Sequence, residues 1–560
     1  MPSMGVSILW TLALLVAVPI IKLVSILVKP YFSNLRDLPG PPGGSWVTGH
    51  ISELNRSETD RAECHLNWLK EYGHVFVYKS LLNSDRLTTV DTKALNHILA
   101  SPMVYYKPSH LRLTLGQLIG EGLIFAEGAA HKRQRRVMNP TFSLGNIRQM
   151  TAIFMTKALE LRDSISHHIA TQGEDPLDAI PYVSRCTLDI VGLAGFNYDF
   201  NTVKDGVTSR GTSMGESTDE LARAFSQSYR TDAGYATIQL LMAWIPPLRW
   251  VMFDKVTVAS DQAQKTMRRI GKRLVREKKR ALGFSVDEEK DDAKSHGTVF
   301  AREETKKDLL SLMIVANMSP DVAPEQKMTE VEVMHQIPTF MVAGHETTAT
   351  ALTWSLFLLA THKSIQSKLR RELATLGTDM PTMDELNSLP YFEAVLKESL
   401  RLYPSFENTL RIAQADDVIP LEKPFTDRKG RLQDRIRLKK GDGVFIPILV
   451  MNRLESIWGP DAAEFNPERW KDLPGEASTV PSVWGNQFTF LGGPRSCIGF
   501  RFAVMEMKAI LYTLIRSFEL ELAVKEEDVL RTSAIVTRPM IRGQIEKGTQ
   551  MPLIMRPVTV

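Results

Sequence analysis

Cys497 stands in the stretch FTFLGGPRSCIGF, close to Gly493, Pro494, Arg495 and Gly499, and is one of three cysteines among 560 residues. A lone cysteine is most often a small buried hydrophobe. On a glycine-permitted turn it can instead point its sulfur at a metal with nothing in the way. A second group of reactive types is AGHETT, Ala343 to Thr348. An acid beside two hydroxyls inside an apolar run needs something polar to meet it. There Glu346 could relay protons, and Thr347 could bend the local hydrogen bonding and donate to a ligand or water. Gly344 lacks a side chain and would let a flat or bulky group approach. The plainer alternative is a polar patch where two helices cross.

Charged residues add two further patterns. In KESLRLYP, Glu398 and Arg401 are three apart on one helical face, and Arg469 in FNPERW could be a third member. Such a cluster adds little net stability but fixes one segment against another; alone, the pair reads as a surface salt bridge. In EGAAHKRQRRVMNPTF, His131 and Arg135 share a face at i,i+4 spacing. With Arg411 and Arg495 they make four positive groups, which would suit the two carboxylates of a large planar cofactor. Each by itself is a solvated basic residue.

These side chains need elements to position them. Thr329 and Glu332 form a capping box ahead of a long apolar run that contains AGHETT, with Pro338 expected to bend it slightly. Apolar three-and-four spacing predicts helices over 147–170 and 184–193, and β-rich runs over 75–79 and 86–90 predict a small antiparallel sheet. The segment from Ala224 to Phe253, rich in Leu, Ile, Trp and Tyr, suits helices that cap an apolar cavity or touch a membrane face. A basic-to-acidic switch predicts a disordered insertion near 285–299. No repeat and no second domain boundary is visible, so residues 51–560 read as one mainly helical domain with small β-sheets.

The N-terminus predicts location. Residues 5–28 are apolar apart from Lys22 and small hydroxyls, long enough for a bilayer core, and no basic residue precedes them as in a signal peptide. Lys29 and Arg36 follow. The expectation is a single-pass anchor over 1–30 with the body cytosolic. A proline- and glycine-rich hinge, LPGPPG, lies within 31–50. A net charge of +4 is too weak and dispersed to point to nucleic acid, and three cysteines exclude a disulfide scaffold. CxxC and HExxH, the usual zinc signatures, do not occur.

Taken in order, these pieces resemble the cytochrome P450 family of haem-thiolate monooxygenases, over essentially the whole chain. The family pattern Phe-x-x-Gly-x-Arg-x-Cys-x-Gly falls on Phe490, Gly493, Arg495, Cys497 and Gly499. Glu-x-x-Arg falls on Glu398 and Arg401, with its partner arginine at Arg469, and the oxygen-activating helix pattern falls on Ala343 to Thr348. The resemblance implies that Cys497 is the axial thiolate of haem b, that Arg495 meets a propionate, and that Phe490 shields the sulfur. It further implies haem held between the long central helix and the cysteine loop. One departure stands out: where the family usually has tryptophan four residues before arginine, this chain has His131 before Arg135.

By the same resemblance, the chain inserts one oxygen atom from O2 into a C–H bond. No flavin or nicotinamide region accompanies the haem domain, so electrons are expected from a separate NADPH-cytochrome P450 reductase, with cytochrome b5 as a further partner. Its sequence style resembles fungal microsomal members of the endoplasmic reticulum serving secondary metabolism. Expected pocket walls at 104–124, 229–250, 340–343, 405–410 and 534–540 are dominated by Leu, Ile, Met and aromatic residues, implying an apolar substrate. A terpenoid or steroid-like skeleton is expected, with fatty acids and aromatic compounds as alternatives. Two other readings are a haem-thiolate isomerase or dehydratase working without reductase, and a haem protein that only senses or carries a ligand. The Glu346–Thr347 pair weighs against both.

Overall fold

The computed structural model describes residues 33–56, 61–204, 219–229, 255–284, 308–533 and 536–558, with two isolated positions at 17 and 21. The expected anchor over 5–28, the insertion near 285–299 and nearly all of the 229–250 segment lie outside these residues. Among the described residues, no helix is long and apolar enough to cross a membrane.

Contacts divide the chain into two compact units. The first comprises 1–107, 407–459 and 475–495; the second comprises 108–406, 460–474 and 496–560. The sequence reads as one body because each unit is assembled from separated stretches. A boundary threaded this way has no linker to mark it.

In the first unit, Val75–Lys79 (β1) and Asp85–Thr89 (β2) pair antiparallel, as the β-rich runs predict. Leu82 and Asn83 between them both take positive φ, 53° and 57°, the handedness that suits a tight hairpin. The pair is not a sheet by itself. Tyr105–Tyr106 (β3), Thr409–Ala413 (β4) and Gly443–Ile446 (β7) complete five strands in the order β1-β2-β7-β4-β3, with β2 and β7 parallel. Asp417–Thr426 (β5) and Leu432–Leu438 (β6) form a separate hairpin. Trp68, Phe76, Tyr78, Phe445 and Leu54 pack as one buried cluster. Asp91 caps the helix Thr92–Ala100 through Ala94 N–H, and its other oxygen accepts from the backbone of Glu422 and Lys423.

Six helices of the second unit carry most of the chemistry: Gly128–Met138 (α1), Leu144–Gln172 (α2), Ala179–Phe196 (α3), Glu330–Thr361 (α4), Pro390–Leu402 (α5) and Phe500–Ser517 (α6). The capping box opens α4 as the sequence predicts: Thr329 accepts from Glu332 N–H and the Glu332 carboxylate accepts from Thr329 N–H. At 32 residues, α4 is about 48 Å long. From Thr348 to Ala360 every residue is buried, so this half is a central core helix and not an amphipathic surface one. Phe518–Leu522 (β8) pairs with Pro552–Pro557 (β11), and Val529–Ser533 (β9) pairs with Thr537–Ile541 (β10).

Candidate active site

The first turn of the cysteine loop is held by the side chain of Asn452, which lies outside it. Asn452 Oδ1 accepts from Phe488 N–H at 2.8 Å, while Asn452 Nδ2 donates to Thr489 Oγ1 at 3.0 Å. Phe488 is fully buried, and Phe490 packs edge-on against Trp484 with centroids 5.7 Å apart. Leu491 takes φ 54°, ψ −178°, a conformation that costs a leucine about 1–3 kcal/mol. Gly493 has φ +72°, and a Cβ there would run into the Leu99 carbonyl oxygen. Gly499 differs: a Cβ would meet only Phe142, at an ordinary 3.7 Å. Arg495 donates to the Pro102 carbonyl at 3.1 Å and lies over the Tyr106 ring. Arg411, buried on β4, donates to Thr409 Oγ1 and the Leu410 carbonyl, both at 2.8 Å.

Of the three cysteines only Cys497 is exposed. It is also set deep enough that burial pushes its thiol up, opposed by the Gly499 N–H and the Arg135 charge. Arg135 on α1 donates to Ser496, to the carbonyl at 2.5 Å and the hydroxyl at 3.3 Å, which places its charge beside the sulfur. His131, one turn earlier, is buried. Cys186 is buried, with its thiol donating to the Lys157 carbonyl, and burial pushes the half-buried Cys64 up to about 11. Neither is poised as a thiolate.

In α4 the AGHETT residues face different neighbours. Thr347 Oγ1 donates to the Ala343 carbonyl at 2.6 Å, and Ser405 Oγ donates to the Thr347 carbonyl at 2.7 Å. Glu346 ion-pairs with Arg538 of β10. His345 is buried, with Nε2 3.0 Å from Ser184 Oγ and Nδ1 4.0 Å from Glu346 Oε2; burial lowers its pKa. Gly344 lies close against a neighbouring helix. A Cβ there would lie 2.7 Å from Cγ2 of Val191 on α3. On that side the missing side chain serves close helix packing.

Glu398, Arg401 and Arg469 come together, and they are not the exposed salt bridge that the pair alone suggests. Glu398 and Arg401 have no exposed surface. The Glu398 carboxylate accepts from Arg401 Nε at 2.9 Å and Nη2 at 2.8 Å, from Arg469 Nε at 3.0 Å, from Asn466 N–H at 3.0 Å and from Trp470 Nε1 at 2.9 Å. Arg401 also donates to the Ala462 carbonyl, and Arg469 to Asp461. Sequence reasoning missed Trp470 and Asp461, although Trp470 adjoins Arg469 in PERW. It missed Arg538 as the partner of Glu346, for which no local signal exists.

Among the described residues no three His, Cys, Asp or Glu side chains gather as a metal site. Cys497 offers a single thiolate donor, the kind of protein ligand that would suit a haem iron, whose ring supplies its other donors.

Comparison with known proteins agrees. The cytochrome P450 family model matches residues 39–545. Cytochrome P450 monooxygenase 205 of Postia placenta is 43% identical over 546 residues, covering 97% of this chain and 96% of that protein. Cytochrome P450 monooxygenase 128 of the same fungus is 42% identical, covering 96% and 95%. Cytochrome P450 monooxygenase claW of Ampulloclitocybe clavipes is 31% identical, covering 94% and 93%. A matching family model, near-full-length relatives and a mainly helical fold lead to one conclusion: the chain belongs to the cytochrome P450 family of haem-thiolate monooxygenases.

Proposed function

We propose that this protein hydroxylates an apolar small molecule, a terpenoid or steroid-like secondary metabolite, with electrons from a separate NADPH-dependent reductase and with cytochrome b5 as a further donor. The observation that carries the site assignment is that Cys497 is exposed while Arg135 is held next to it through Ser496. In this reading Cys497 ligates the haem iron. Arg135 and His131 serve the propionates within the second unit, while Arg411, Arg495 and Phe490 keep the roles the family resemblance gives them. Bound haem supplies reductive activation of O2, and a thiolate ligand favours O–O cleavage.

The chain's own part is proton handling and positioning. Thr347 must turn its hydroxyl away from the Ala343 carbonyl to lend its proton outside the helix, and Ser405 steadies the same turn through the Thr347 carbonyl. Glu346 passes protons from its place beside Arg538, whose charge holds the carboxylate in one orientation. The apolar 5–28 stretch anchors the chain in the endoplasmic reticulum with the body cytosolic, a reading supported by the sequence alone.

The test is reconstitution with reductase, NADPH and a panel of terpenoids and steroids under labelled O2. The expected product gains one labelled oxygen atom and needs both NADPH and reductase. Product formed without either, at unchanged oxygen count, would make the enzyme an isomerase or dehydratase instead.

A further inference from the structure

Glu506, midway along α6, has no exposed surface, and neither of its carboxyl oxygens has a hydrogen-bond partner. Thr348 of α4 is also buried, and its hydroxyl likewise has no partner. α4 and α6 pack against each other, and Thr348 is the side chain of α4 that acts on the Glu506 carboxyl. Burial pushes the Glu506 carboxyl well above the usual carboxylate range, and Thr348 lies near enough to oppose that shift without a well-formed hydrogen bond. Cys186 of α3 is the other titratable group coupled to Glu506; it is itself held neutral by burial, and its thiol donates to the Lys157 carbonyl on α2. No cation stands against Glu506 among its described interactions. An ionised carboxylate in such surroundings is strongly disfavoured.

Thr348 departs from its helix. Thr339, Thr347, Thr353, Ser355 and Thr361 all donate back to the carbonyl four residues earlier, at 2.6–3.2 Å. Thr348 makes no such bond. Its hydroxyl is free to accept from a neutral acid, and it directly follows the residue whose hydroxyl must move. Ser405 fixes the same turn at the Thr347 carbonyl.

We propose that Glu506 is a neutral carboxylic acid whose O–H donates to the Thr348 hydroxyl and so positions the Glu346–Thr347 turn for proton delivery. The role rests on the proton-delivery reading above, which the same experiment tests separately. Glu506 is a positioning residue, and its proton stays on it throughout.

Infrared difference spectra of the full-length haem-loaded enzyme at neutral pH provide a readout apart from activity. Wild type minus Glu506→Gln should show a protonated-carboxylic-acid carbonyl band that shifts in D2O, and Thr348→Val should move that band. No band, or a band unmoved in Thr348→Val, overturns the proposal. Product per NADPH supplies the second arm. Glu506→Gln, which can still donate, should keep wild-type coupling, while Glu506→Leu should lower it by up to about tenfold, the scale of one hydrogen bond. Uncoupling in the Gln variant, or wild-type coupling in the Leu variant, also overturns it. If Glu506→Leu fails to fold, the Thr348→Val band shift decides. Wild-type coupling in Thr347→Ala would mark failure of the proton-delivery reading itself, leaving the Glu506–Thr348 pair to stand or fall on its band.

Discussion

Arg538 on β10 ion-pairs with Glu346 on α4, and the next residue, Thr347, gives its hydroxyl to the Ala343 carbonyl. Acid and alcohol, adjacent in the chain, are thus each committed to a different neighbour. Thr347→Ala should leave folding and haem content intact while more of the consumed NADPH ends as peroxide or water. Glu346→Gln should slow the whole cycle, by about 10² or more for a lost proton-transfer group. Product and peroxide per NADPH check both. Wild-type rate and coupling in Thr347→Ala would make this motif structural.

The Glu398 cluster sets a graded stability series. Removing one partner of a buried, hydrogen-bonded ion network costs about 3–5 kcal/mol, so Glu398→Gln and Arg469→Met should both destabilise strongly and lower haem content. Trp470→Phe deletes one hydrogen bond to a charged group, worth about 1.5–3 kcal/mol, and should fall between these and wild type. Apparent thermal midpoints at one fixed scan rate give the order. A Trp470 variant as damaging as Glu398→Gln would contradict it.

The loop glycines should part company. Gly493→Ala faces both a φ of +72° and the Leu99 carbonyl, and should lose the loop and with it the red-shifted carbon monoxide band of thiolate ligation. Gly499→Ala meets only Phe142 at 3.7 Å, so thermal stability should stay within about 0.5 kcal/mol of wild type. Any change there should appear in the haem spectrum. The expectation fails if Gly493→Ala is silent.

Asp189 of α3 should give a pH signature. Burial pushes its carboxyl up to about 6, against the Lys157 charge and bonds from Thr202 and Val203. Lys157 itself also faces Glu160 and Asp199, and Cys186 lies close by. With a folded pKa above the unfolded value, the folded state binds the extra proton. The associated stability is therefore full below about pH 4 and is lost as pH rises to the folded value. Relative to Asp189→Asn, wild type should lose on the order of 2–3 kcal/mol across that window, at 1.36 kcal/mol per unit. Denaturant midpoints of the two proteins at several pH values measure it. A difference that does not change with pH, or that grows as pH rises, would show that Asp189 does not titrate in this way.

Features coded over three or four residues could be read directly. The Thr329–Glu332 capping box and the Glu398–Arg401 pair are within one helical turn, where spacing alone dictates contact. The Cys497 loop carries its constraint in residue type, because Gly493 supplies a φ that other residues resist. Gly344 shows the limit of that logic. Its glycine was legible, but whether the space served a ligand or Val191 depended on how closely α3 approaches α4.

What the sequence determined by itself was therefore the set of chemically competent groups and the helices and strands that present them. Tertiary structure alone decided that Glu398 is buried under five hydrogen bonds. It also decided that Arg538, 192 residues away, meets Glu346, and that the Glu506 carboxyl is buried without a hydrogen-bond partner. Spacing encodes contacts only within a turn or a hairpin. A partner more than a hundred residues distant is chosen by packing, and burial, which sets the charge of a side chain, exists only once that packing has formed.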